Sequence, residues 1–504
     1  MKISIFLFTT VLFFSSLTIA QPGTLDSGFG KNGVVITNFQ EGRSRALSVA
    51  LQEDGKIITA GGVGNYGNNK IDFALVRYLP NGKLDNSFGI NGKVITDLGH
   101  SRTLVEEFTS VVIQQDGKIV AGGNSDSGYV LIRYKKNGII DSSFGYNGIV
   151  VIGVGHQIAL QPDDKIVMTF GNTSGKFPTK RYKKNGTPDS SFGKDGIVYT
   201  DLGVYNLDYP GLLATQPDGK IVVGGVAVNE VAGAACLVRY RNNGDLDSSF
   251  GINGKTLVKL EMDFYAHALA LLPDGRIALT GYSITGNNFD FATIRFKKNG
   301  NVDSSFGTNG WIMSDFGYAD QGGADIGESS ISQPDGKILV AGEAGLGQSD
   351  NYFGLVRYTK NGKPDNSFGI EGKVISIWGY AISIALQKDG KMIVAGYTPD
   401  FKFAVVRYNG DSTNSFSKNN FLSDNSANRS SNIYLSPNPV KDILHIENLT
   451  STVSKTISVF DNSGKVLLKA ITPNNNYSFN VSQFAAGIYF VIINDNKKLT
   501  TLNL

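Results

Sequence analysis

The residues of this chain best suited to acid–base chemistry lie in one short segment, LEMDFYAH, at positions 260–267. Glu261, Asp263, Tyr265 and His267 alternate there, and alternate side chains of a β-strand share one face. Two carboxylates and an imidazole on one face can act as a general acid–base set. The alternation is equally typical of a plain exposed strand extension, and the segment by itself favours that simpler interpretation.

No further catalytic or metal-binding motif accompanies this segment. The histidines, His100, His156, His267 and His445, lie far apart without metal-ligand spacing. GxSxG, HExxH and CxxC are all missing from the sequence. Cys236 is the single cysteine, so an internal disulfide is excluded, and we predict a small buried strand residue there. The sequence therefore predicts neither a cofactor nor a metal, and no catalytic residue.

Composition and the first residues bound where the protein works. The formal net charge of the 504 residues is +3, which argues against nucleic acid as a partner. Lys2 is followed by an apolar run from Ile3 to Phe14 and by small residues up to Ala20. This pattern predicts an export signal over residues 1–20. No later stretch approaches the ~20 apolar residues of a membrane-spanning helix, so we predict no transmembrane segment.

A fixed spacing repeats along most of the chain. Six arginines, each before Tyr or Phe, are followed 11 positions later by a Phe-Gly: the pairs are Arg77/Phe88, Arg133/Phe144, Arg181/Phe192, Arg239/Phe250, Arg295/Phe306 and Arg357/Phe368. A seventh arginine, Arg407, ends the series. Constant spacing over so many copies is typical of a structural repeat.

Each repeat predicts four short strands. In the second copy these are GKVITDLG, the two halves of FTSVVIQQDGKIVAGG, and GYVLIRY. The Asp116-Gly117 step predicts a type I′ hairpin, because Gly takes positive φ at little cost. Asp163-Asp164 occupies this place in the third copy, where Gly would be more favourable by about 1 kcal/mol. Four strands per unit and seven units predict an all-β fold, a seven-bladed β-propeller.

The two ends of the repeat array are complementary. The chain begins with a fourth strand, Val34–Phe39, that lacks its first three, and residues 381–408 provide three strands that lack their fourth. We therefore expect Val34–Phe39 to pair with Phe403–Tyr408 and close the ring. An open solenoid is the alternative, but a solenoid needs capping repeats and leaves the complementary ends unexplained.

The repeat phrase resembles that of a known family. LDxSFGxNG, QPDGKIVVAG and RY are similar to the delta-60 β-propeller repeats over residues 21–410. The resemblance implies the propeller fold and carries no defined biochemical activity.

Loop lengths distinguish the two ends of the predicted ring. The Asp-Gly hairpins and the Arg-to-Phe connections have constant lengths and meet at one end, which we call the constant face. The other two connections vary in length and form the variable face, where function normally resides. Acids and aromatics concentrate on the variable face and lysines on the constant face. The candidate ligand-binding residues on the variable face are Trp378, Tyr380, Tyr265, Asp263, Glu261, Tyr318 and Tyr209.

The repeated Arg and Asp residues have two interpretations. Asp85, Asp141, Asp247 and Asp303 follow the arginines at constant distance, and one ligand site per blade is conceivable. The simpler interpretation is an internal Arg–Asp ion pair with Asx turns, because a buried arginine needs an acidic partner. We favour the internal pair.

The C-terminal part has a different organisation. Residues 411–432 are rich in Ser and Asn and predict a linker. Residues 433–504 contain short alternating strands that predict a small Ig-like β-sandwich. This region resembles the type A C-terminal sorting domain of the Por, or type IX, secretion system. The resemblance rests on SPNP at 436–439, the VFDNSGKVL hairpin and GIY at 487–489. The matching positions are Pro437, Asn438, Pro439, Asp442, Gly464, Gly487 and Tyr489.

Together these features predict an exported protein, extracellular or at the outer cell surface. The resemblance implies recognition of the C-terminal domain by the outer-membrane secretion machinery. The propeller is then a module that binds a glycan or a protein. The alternative is a secreted enzyme that acts on polysaccharide through carboxylates of the variable face, and two such carboxylates close together would favour it. A structural coat component acting through the lysine-rich constant face is a third possibility.

Overall fold

The structure is a computed structural model of the full chain. It describes residues 21–65, 70–99, 105–153, 155–170, 176–202, 206–228, 233–259, 263–285, 288–317, 323–345 and 351–411, and in the C-terminal region residues 434–436, 443–447, 455–460, 466–472, 474, 477–481, 490–494 and 499–503. Two compact units are present, Met1–Phe416 and Ser417–Leu504. The predicted export signal lies outside the described residues.

The first unit contains seven four-stranded antiparallel sheets, so the predicted seven-bladed β-propeller is confirmed. Blades 1 and 2 contain β2 Arg43–Leu51, β3 Ile57–Asn65, β4 Lys70–Tyr78, β5 Lys93–Thr96, β6 Glu107–Ile113, β7 Ile119–Ser125, β8 Gly128–Tyr134 and β9 Ile149–Gly153. Blades 3 and 4 contain β10 Gln157–Leu160, β11 Ile166–Thr169, β12 Lys176–Tyr182, β13 Ile197–Asp201, β14 Asn206–Thr215, β15 Ile221–Val228, β16 Gly233–Tyr240 and β17 Lys255–Lys259. Blades 5 and 6 contain β18 Asp263–Leu271, β19 Ile277–Thr285, β20 Asn288–Phe296, β21 Trp311–Ser314, β22 Ile326–Ser332, β23 Ile338–Gly345, β24 Asn351–Tyr358 and β25 Lys373–Trp378. Blade 7 contains β26 Tyr380–Leu386, β27 Met392–Tyr397, β28 Phe403–Tyr408 and β1 Val34–Thr37.

The ring closes through the strand from the N-terminal end, as predicted. β1 pairs antiparallel with β28 in the register Val34↔Val406 to Thr37↔Phe403. Apolar side chains explain why both faces of a blade are covered: in β4, Phe73 and Leu75 pack against blade 2, while Ala74 and Val76 pack against blade 7. Each sheet is therefore buried between its two neighbours.

The hairpin turn differs from the predicted type I′. Gly55 N–H donates to Gln52 O at 3.0 Å, Gln52 N–H donates to Lys56 O at 2.9 Å, and only Gly55 has positive φ, at 81°. This geometry is a type I turn followed by a glycine in a G1 bulge, so the I′ prediction is wrong. One position per turn requires the left-handed conformation. In blade 3 Asp164 takes it with φ of 64°, which confirms the irregularity read from the sequence.

Every blade contains a buried ion pair between its arginine and an aspartate, in agreement with the favoured interpretation. The N–O distances are 2.7 to 2.9 Å in the pairs Arg77–Asp85, Arg133–Asp141, Arg181–Asp189, Arg239–Asp247, Arg295–Asp303, Arg357–Asp365 and Arg407–Asp26. A turn lysine of the constant face adds a contact in most blades, for example Lys118 Nζ at 3.1 Å from Asp141. Much of the positive charge of the constant face is therefore compensated locally.

The same arginines join neighbouring blades. Arg133 Nη1 donates to Lys184 O in blade 3 at 2.5 Å, and Arg407 Nη1 in blade 7 donates to Pro80 O in blade 1 at 2.5 Å. In blade 6 the Asp411 carboxylate takes the place of the carbonyl and lies 2.8 Å from Arg357 Nη2. Hydrogen bonds from a charged donor are stronger than neutral ones, so this ring of contacts stabilises the closed arrangement.

A second ring of contacts is interrupted in blade 3. A buried tyrosine hydroxyl usually bonds to the outermost strand of the preceding blade, as Tyr134 does to Thr96 at 2.8 Å. The hydroxyl of Tyr182 is buried and has no hydrogen-bond partner among the described residues, because Ile152 occupies the position of Thr96. Blade 5 avoids this cost with Phe296 at the tyrosine position.

We predict that Tyr182→Phe stabilises the propeller by about 1 kcal/mol, since a buried hydroxyl without a partner costs about that much. Tyr134→Phe is the matched control. Removal of the Tyr134 hydroxyl should destabilise the protein by a similar amount, because Thr96 then loses its hydrogen-bond partner. Urea unfolding of the two variants and the wild type measures both effects. A loss of stability in both variants would contradict the assignment.

The second unit is all-β, in agreement with the predicted small β-sandwich. Its strands are β29 Tyr434–Ser436, β30 Ile443–Glu447, β31 Lys455–Phe460, β32 Val466–Thr472, β33 Tyr477–Asn480, β34 Phe490–Asn494 and β35 Leu499–Asn503. They form two sheets, with the orders β29-β30-β33 and β32-β31-β34-β35.

Candidate functional site

Irregularities on the innermost strands shape the centre of the propeller. Six of these strands, all except β10, show a register shift near their middle, for example between Ala266 and Ala268 and between Gly327 and Ser329. The residue inside each shift is left out of the ladder, as in a β-bulge, and bulges commonly re-aim side chains at functional sites. His267 is this residue in blade 5 and Glu328 in blade 6.

These two residues form a pair between neighbouring blades. His267 Nδ1 lies 2.9 Å from Glu328 Oε2, and both side chains are partly exposed. A carboxylate oxygen accepts, so Nδ1–H is the donor in this contact. The ring of Tyr282 packs against the imidazole of His267, with the ring centroids 5.2 Å apart and the ring planes at 89°.

A second histidine lies within electrostatic reach of this pair. His156 directly precedes β10, and its N–H donates to Thr169 O at 3.0 Å. Desolvation by the surrounding blades, together with the charge of His267, lowers the pKa of His156 below the usual value of histidine. Its side chain is nevertheless exposed to solvent.

Blade 6 also carries an acid with a raised pKa. Burial chiefly raises the pKa of Glu343 to about 8, and the nearby charge of Glu328 adds to this effect. Asn351 Nδ2 donates to Glu343 Oε2 at 2.8 Å. A protonated carboxyl can donate a hydrogen bond as well as accept one. Glu343 therefore offers a carboxyl group with a raised pKa in the same blade as Glu328.

Stacked tyrosine pairs flank blade 6 on both sides. In blade 5 the rings of Tyr265 and Tyr282 stack at 4.9 Å, and in blade 7 those of Tyr380 and Tyr397 stack at 4.7 Å. Both pairs join direct partners on the first and second strands, two positions before the bulge. They are thus equivalent in the repeat. All four rings are partly exposed and offer apolar faces with polar tips.

Blades 1 and 2 have charged residues at the strand position that tyrosine occupies in blades 5 and 7. Arg45 occupies the place of Tyr265 in blade 1, and its Nη2 lies 2.7 Å from Glu107 Oε2 of blade 2. Arg45 also lies over the Tyr397 ring at 5.9 Å. The channel mouth of the variable face therefore changes from an ion pair in blades 1 and 2 to aromatic rings and carboxyls in blades 5 to 7. We call the latter part the channel-mouth site.

The structure distributes the residues predicted from the sequence unevenly. Tyr265 and Tyr380 belong to the channel-mouth site, and Asp263 is exposed at the start of β18 on the same strand as Tyr265. Trp378 is 52 % exposed at the end of the outermost strand of blade 6. Tyr209 lies in β14 opposite Val226, at the register of Tyr265, and its side chain is outside the described part. Glu261 and Tyr318 lie outside the described residues.

The predicted sorting-signal residues also lie outside the described residues. They are Pro437, Asn438, Pro439, Asp442, Gly464, Gly487 and Tyr489.

Two carboxylate clusters repeat between blades at the variable face and were missed in the sequence. Their carboxylate oxygens lie within 4.8 Å of one another, in the sets Asp72, Asp97, Glu106 and Asp290, Asp315, Asp325. Each set takes one residue from the third strand, one after the fourth strand and one before the next blade. Oxygen-only donor sets are the type that hard cations such as Ca²⁺ prefer. The variable spacing before the last acid of each set hides the repetition.

The second cluster predicts a pH effect on stability. Burial chiefly raises the pKa of Asp325 to about 6, and the charges of Asp315 and Asp290 add to this effect. Hydrogen bonds from the backbone N–H groups of Phe316 and Gly345 lower the pKa and offset part of the rise. A carboxyl with a raised folded pKa binds its proton more readily in the native state, so stability rises as pH falls from 7 towards 5. Asp315→Asn should reduce this gain, because it removes one of the charges that raise the pKa of Asp325.

Urea unfolding of the wild type and Asp315→Asn at pH 7 and pH 5 tests this effect. The difference between the two proteins isolates the cluster, because other titrating groups such as Glu343 are common to both. Equal pH dependence in the two proteins would refute the electrostatic coupling within the cluster.

Family comparisons identify both units. Two family models match: a secretion system C-terminal sorting domain over residues 432–504, and the β-propeller domain of unknown function DUF5122 over 52–88, 114–144, 216–250, 272–306, 333–368 and 387–413. The chain consists of DUF5122 propeller repeats followed by a type IX sorting domain. The family resemblances found in the sequence are thus confirmed.

The sorting domain defines the route of the protein. It directs export by the type IX system to the cell surface or the extracellular space, and it implies interaction with the secretion machinery. Among the described residues, no helix is long and apolar enough to cross a membrane.

Structural comparisons return matches at low identity. PorZ of Porphyromonas gingivalis, described as a surface component of the type IX secretion system, shares 14 % identity at a TM-score of 0.40 over 90 % of this chain and 58 % of that one. Virginiamycin B lyase of Staphylococcus aureus shares 12 % at 0.43 over 74 % of this chain and 98 % of its own. Drosophila Plexin A shares 9 % at 0.42 over 77 % and 88 %. This chain spans little more than half the length of the PorZ chain. A search of curated proteins finds no match.

Proposed function

We propose that this exported propeller is a binding module and that it binds a glycan at the channel-mouth site of blades 5 to 7. The observation that supports the proposal is the pair of stacked tyrosines, Tyr265 with Tyr282 and Tyr380 with Tyr397, on either side of the carboxyls of blade 6. Aromatic faces combined with a few fixed polar groups are typical of ligand sites. Propeller residues 21–410, linker 411–432 and sorting domain 433–504 are the proposed domain limits.

Binding of the mature protein to glycan and peptide arrays tests the proposal. Tyr265→Ala and Tyr380→Ala should each weaken glycan binding about tenfold, as loss of a buried aromatic contact does in binding sites. Tyr146→Ala is the matched control, because Tyr146 is 83 % exposed in a connection of the constant face. Equal binding by all three variants would place the ligand elsewhere. Retention of a peptide alone would assign a protein ligand instead.

A second candidate function is hydrolysis of the bound glycan. The observation that favours it is Glu343, an acid with a raised pKa, in the same blade as Glu328, which His267 contacts. Glycosidic hydrolysis needs one protonated carboxyl to donate to the leaving oxygen and one base to activate water. Release of reducing ends by the wild type and its loss in Glu343→Gln would support this activity. Binding without product from any array ligand would leave the binding function alone.

A further inference from the structure

A strained aromatic residue stands at the edge of the channel-mouth site. Phe401 adopts φ of +58° in the turn between β27 and β28. Its N–H donates to Thr398 O at 2.8 Å, and Thr398 N–H donates to Lys402 O at 3.0 Å. This is the hydrogen-bond pattern of the Asp-Gly turns, with phenylalanine where those turns have glycine. A bulky residue in this backbone region is a genuine outlier.

The strain positions the ring for stacking. Replacing glycine by a side chain in the left-handed region costs about 1 kcal/mol or more. The Phe401 ring stacks on Tyr397 at 5.8 Å and 14°, and Tyr397 stacks in turn on Tyr380 at 4.7 Å. The Arg43 guanidinium lies over the Phe401 ring at 4.9 Å. Local strain that survives in a fold is concentrated at functional sites, so the ring deserves a functional explanation.

Blade 5 has a corresponding set of three rings. Tyr265 stacks on Tyr282, and Tyr282 contacts Phe289 of β20 at 5.6 Å. The third ring comes from a different strand position than Phe401, so the two sets are built by different local routes. We call the two sets the blade-5 ladder and the blade-7 ladder. Blade 6, with Glu328 and Glu343, lies between them.

We propose that the two ladders are separate sugar subsites and that the ligand is an oligosaccharide whose chain crosses blade 6. A sugar ring has an apolar C–H face that packs on aromatic rings and an edge of hydroxyl groups that both donate and accept. A single ring on one ladder does not reach the other, because a whole blade separates them. This inference rests on the proposed glycan-binding function and adds its length and its path.

The polar groups between the ladders fit hydroxyl groups better than charges. Asn351 Nδ2 donates to Glu343 Oε2 at 2.8 Å, and burial raises the pKa of Glu343 to about 8, which favours its uncharged form. A neutral carboxyl beside an amide offers both donors and acceptors. Glu328 is already engaged by His267. A basic peptide would require ionised carboxylates that are free to pair with it, so neutral sugars are the favoured class.

The deciding variant is Phe401→Gly in the mature protein. Glycine accepts the backbone conformation, so the thermal midpoint should stay the same or rise, while affinity for oligosaccharide should fall about tenfold. Glucose-, mannose- and xylose-based series from one to six sugars provide the probes. Affinity should rise at least tenfold with length in the wild type. Tyr265→Ala and Phe401→Gly should each remove most of that rise.

The outcomes separate this inference from the function beneath it. If Tyr380→Ala weakens binding but affinity is independent of chain length, glycan binding stands and the two-subsite path is refuted. If Phe401→Gly leaves affinity unchanged while the length dependence persists, the blade-7 ladder is not a subsite. If no member of the three series binds and only peptides do, the glycan assignment falls together with the inference.

Discussion

A chain that ends at residue 431 should accumulate in the periplasm and be missing from the cell surface and the medium. The sorting domain occupies residues 432–504 and is the part that addresses the protein to the secretion machinery. The propeller should fold without it, because Met1–Phe416 forms a compact unit of its own. Surface labelling of intact cells and immunoblots of periplasm and medium measure the distribution.

The reciprocal transfer is the control for this truncation. Residues 411–504 attached to an unrelated periplasmic protein should carry that protein to the surface or the medium. The truncated chain should keep the thermal midpoint of the propeller, which shows that mislocalisation is not misfolding. Surface exposure of the chain that ends at residue 431 would contradict the role of the domain in sorting.

Asp26→Ala should destabilise the propeller by about 3–5 kcal/mol, the usual cost of leaving a buried charge without its partner. Asp26 lies near the N-terminal end of the mature chain, and its Oδ2 is 2.7 Å from Arg407 Nε and 2.9 Å from Lys391 Nζ. Burial alone would raise the pKa of Asp26, but the hydrogen bonds from Lys391 and Gly28 and the charge of Arg407 outweigh it and lower the pKa.

The pH dependence and a matched variant sharpen this prediction. Since the folded pKa of Asp26 lies below the unfolded value, its contribution is present at neutral pH and disappears as pH falls through the folded value. Asp400→Ala is the control, because the Asp400–Lys402 pair is exposed by 61 % and 42 % and should contribute less than about 1 kcal/mol. Urea unfolding at pH 7 compares the two. Similar losses in the free energy of unfolding of the two variants would show that the Asp26–Arg407 pair stabilises the propeller no more than an exposed pair does.

Most of the architecture could be predicted because it repeats. The constant Arg-to-Phe spacing reflects a constant set of contacts. In blade 1, Arg77 lies 2.8 Å from Asp85 and 4.6 Å from the ring centre of Phe88. The complementary ends identified the closing strand for the same reason. The hairpin type was wrong because Asp-Gly is compatible with two turns, and only the backbone shows that the aspartate keeps negative φ.

The site was harder to predict because its contacts cross blades. Alternation in LEMDFYAH predicts Tyr265 and His267 on one side of a strand; His267 lies in the bulge, and both rings contact Tyr282. The partner of His267 is Glu328, which lies 61 positions away in a different repeat, and no spacing rule links them. Glu343 could not be distinguished in the sequence from other acids near loops, because its raised pKa depends on burial in the folded chain. A bulge shifts six of the seven inner strands by one residue, and a period-two pattern contains no sign of it.

The closed ring supports everything else in this account, and one disulfide experiment tests it directly. Ile36 and Ala404 are direct partners across β1 and β28. Arg407 N–H donates to Gly33 O, so alternation places Ile36 and Ala404 at a non-hydrogen-bonded position, where side chains come closest. Ile36→Cys with Ala404→Cys should therefore form a disulfide under mild oxidation, whereas Cys236 is buried and inert.

Peptide mapping by mass spectrometry gives the answer. A closed ring predicts an Ile36→Cys to Ala404→Cys cross-link in the folded chain and none between Ile36→Cys and Ile95→Cys, the equivalent position in blade 1. Free thiols in the first variant, or a cross-link in the second, would contradict the closed ring and the channel-mouth site with it.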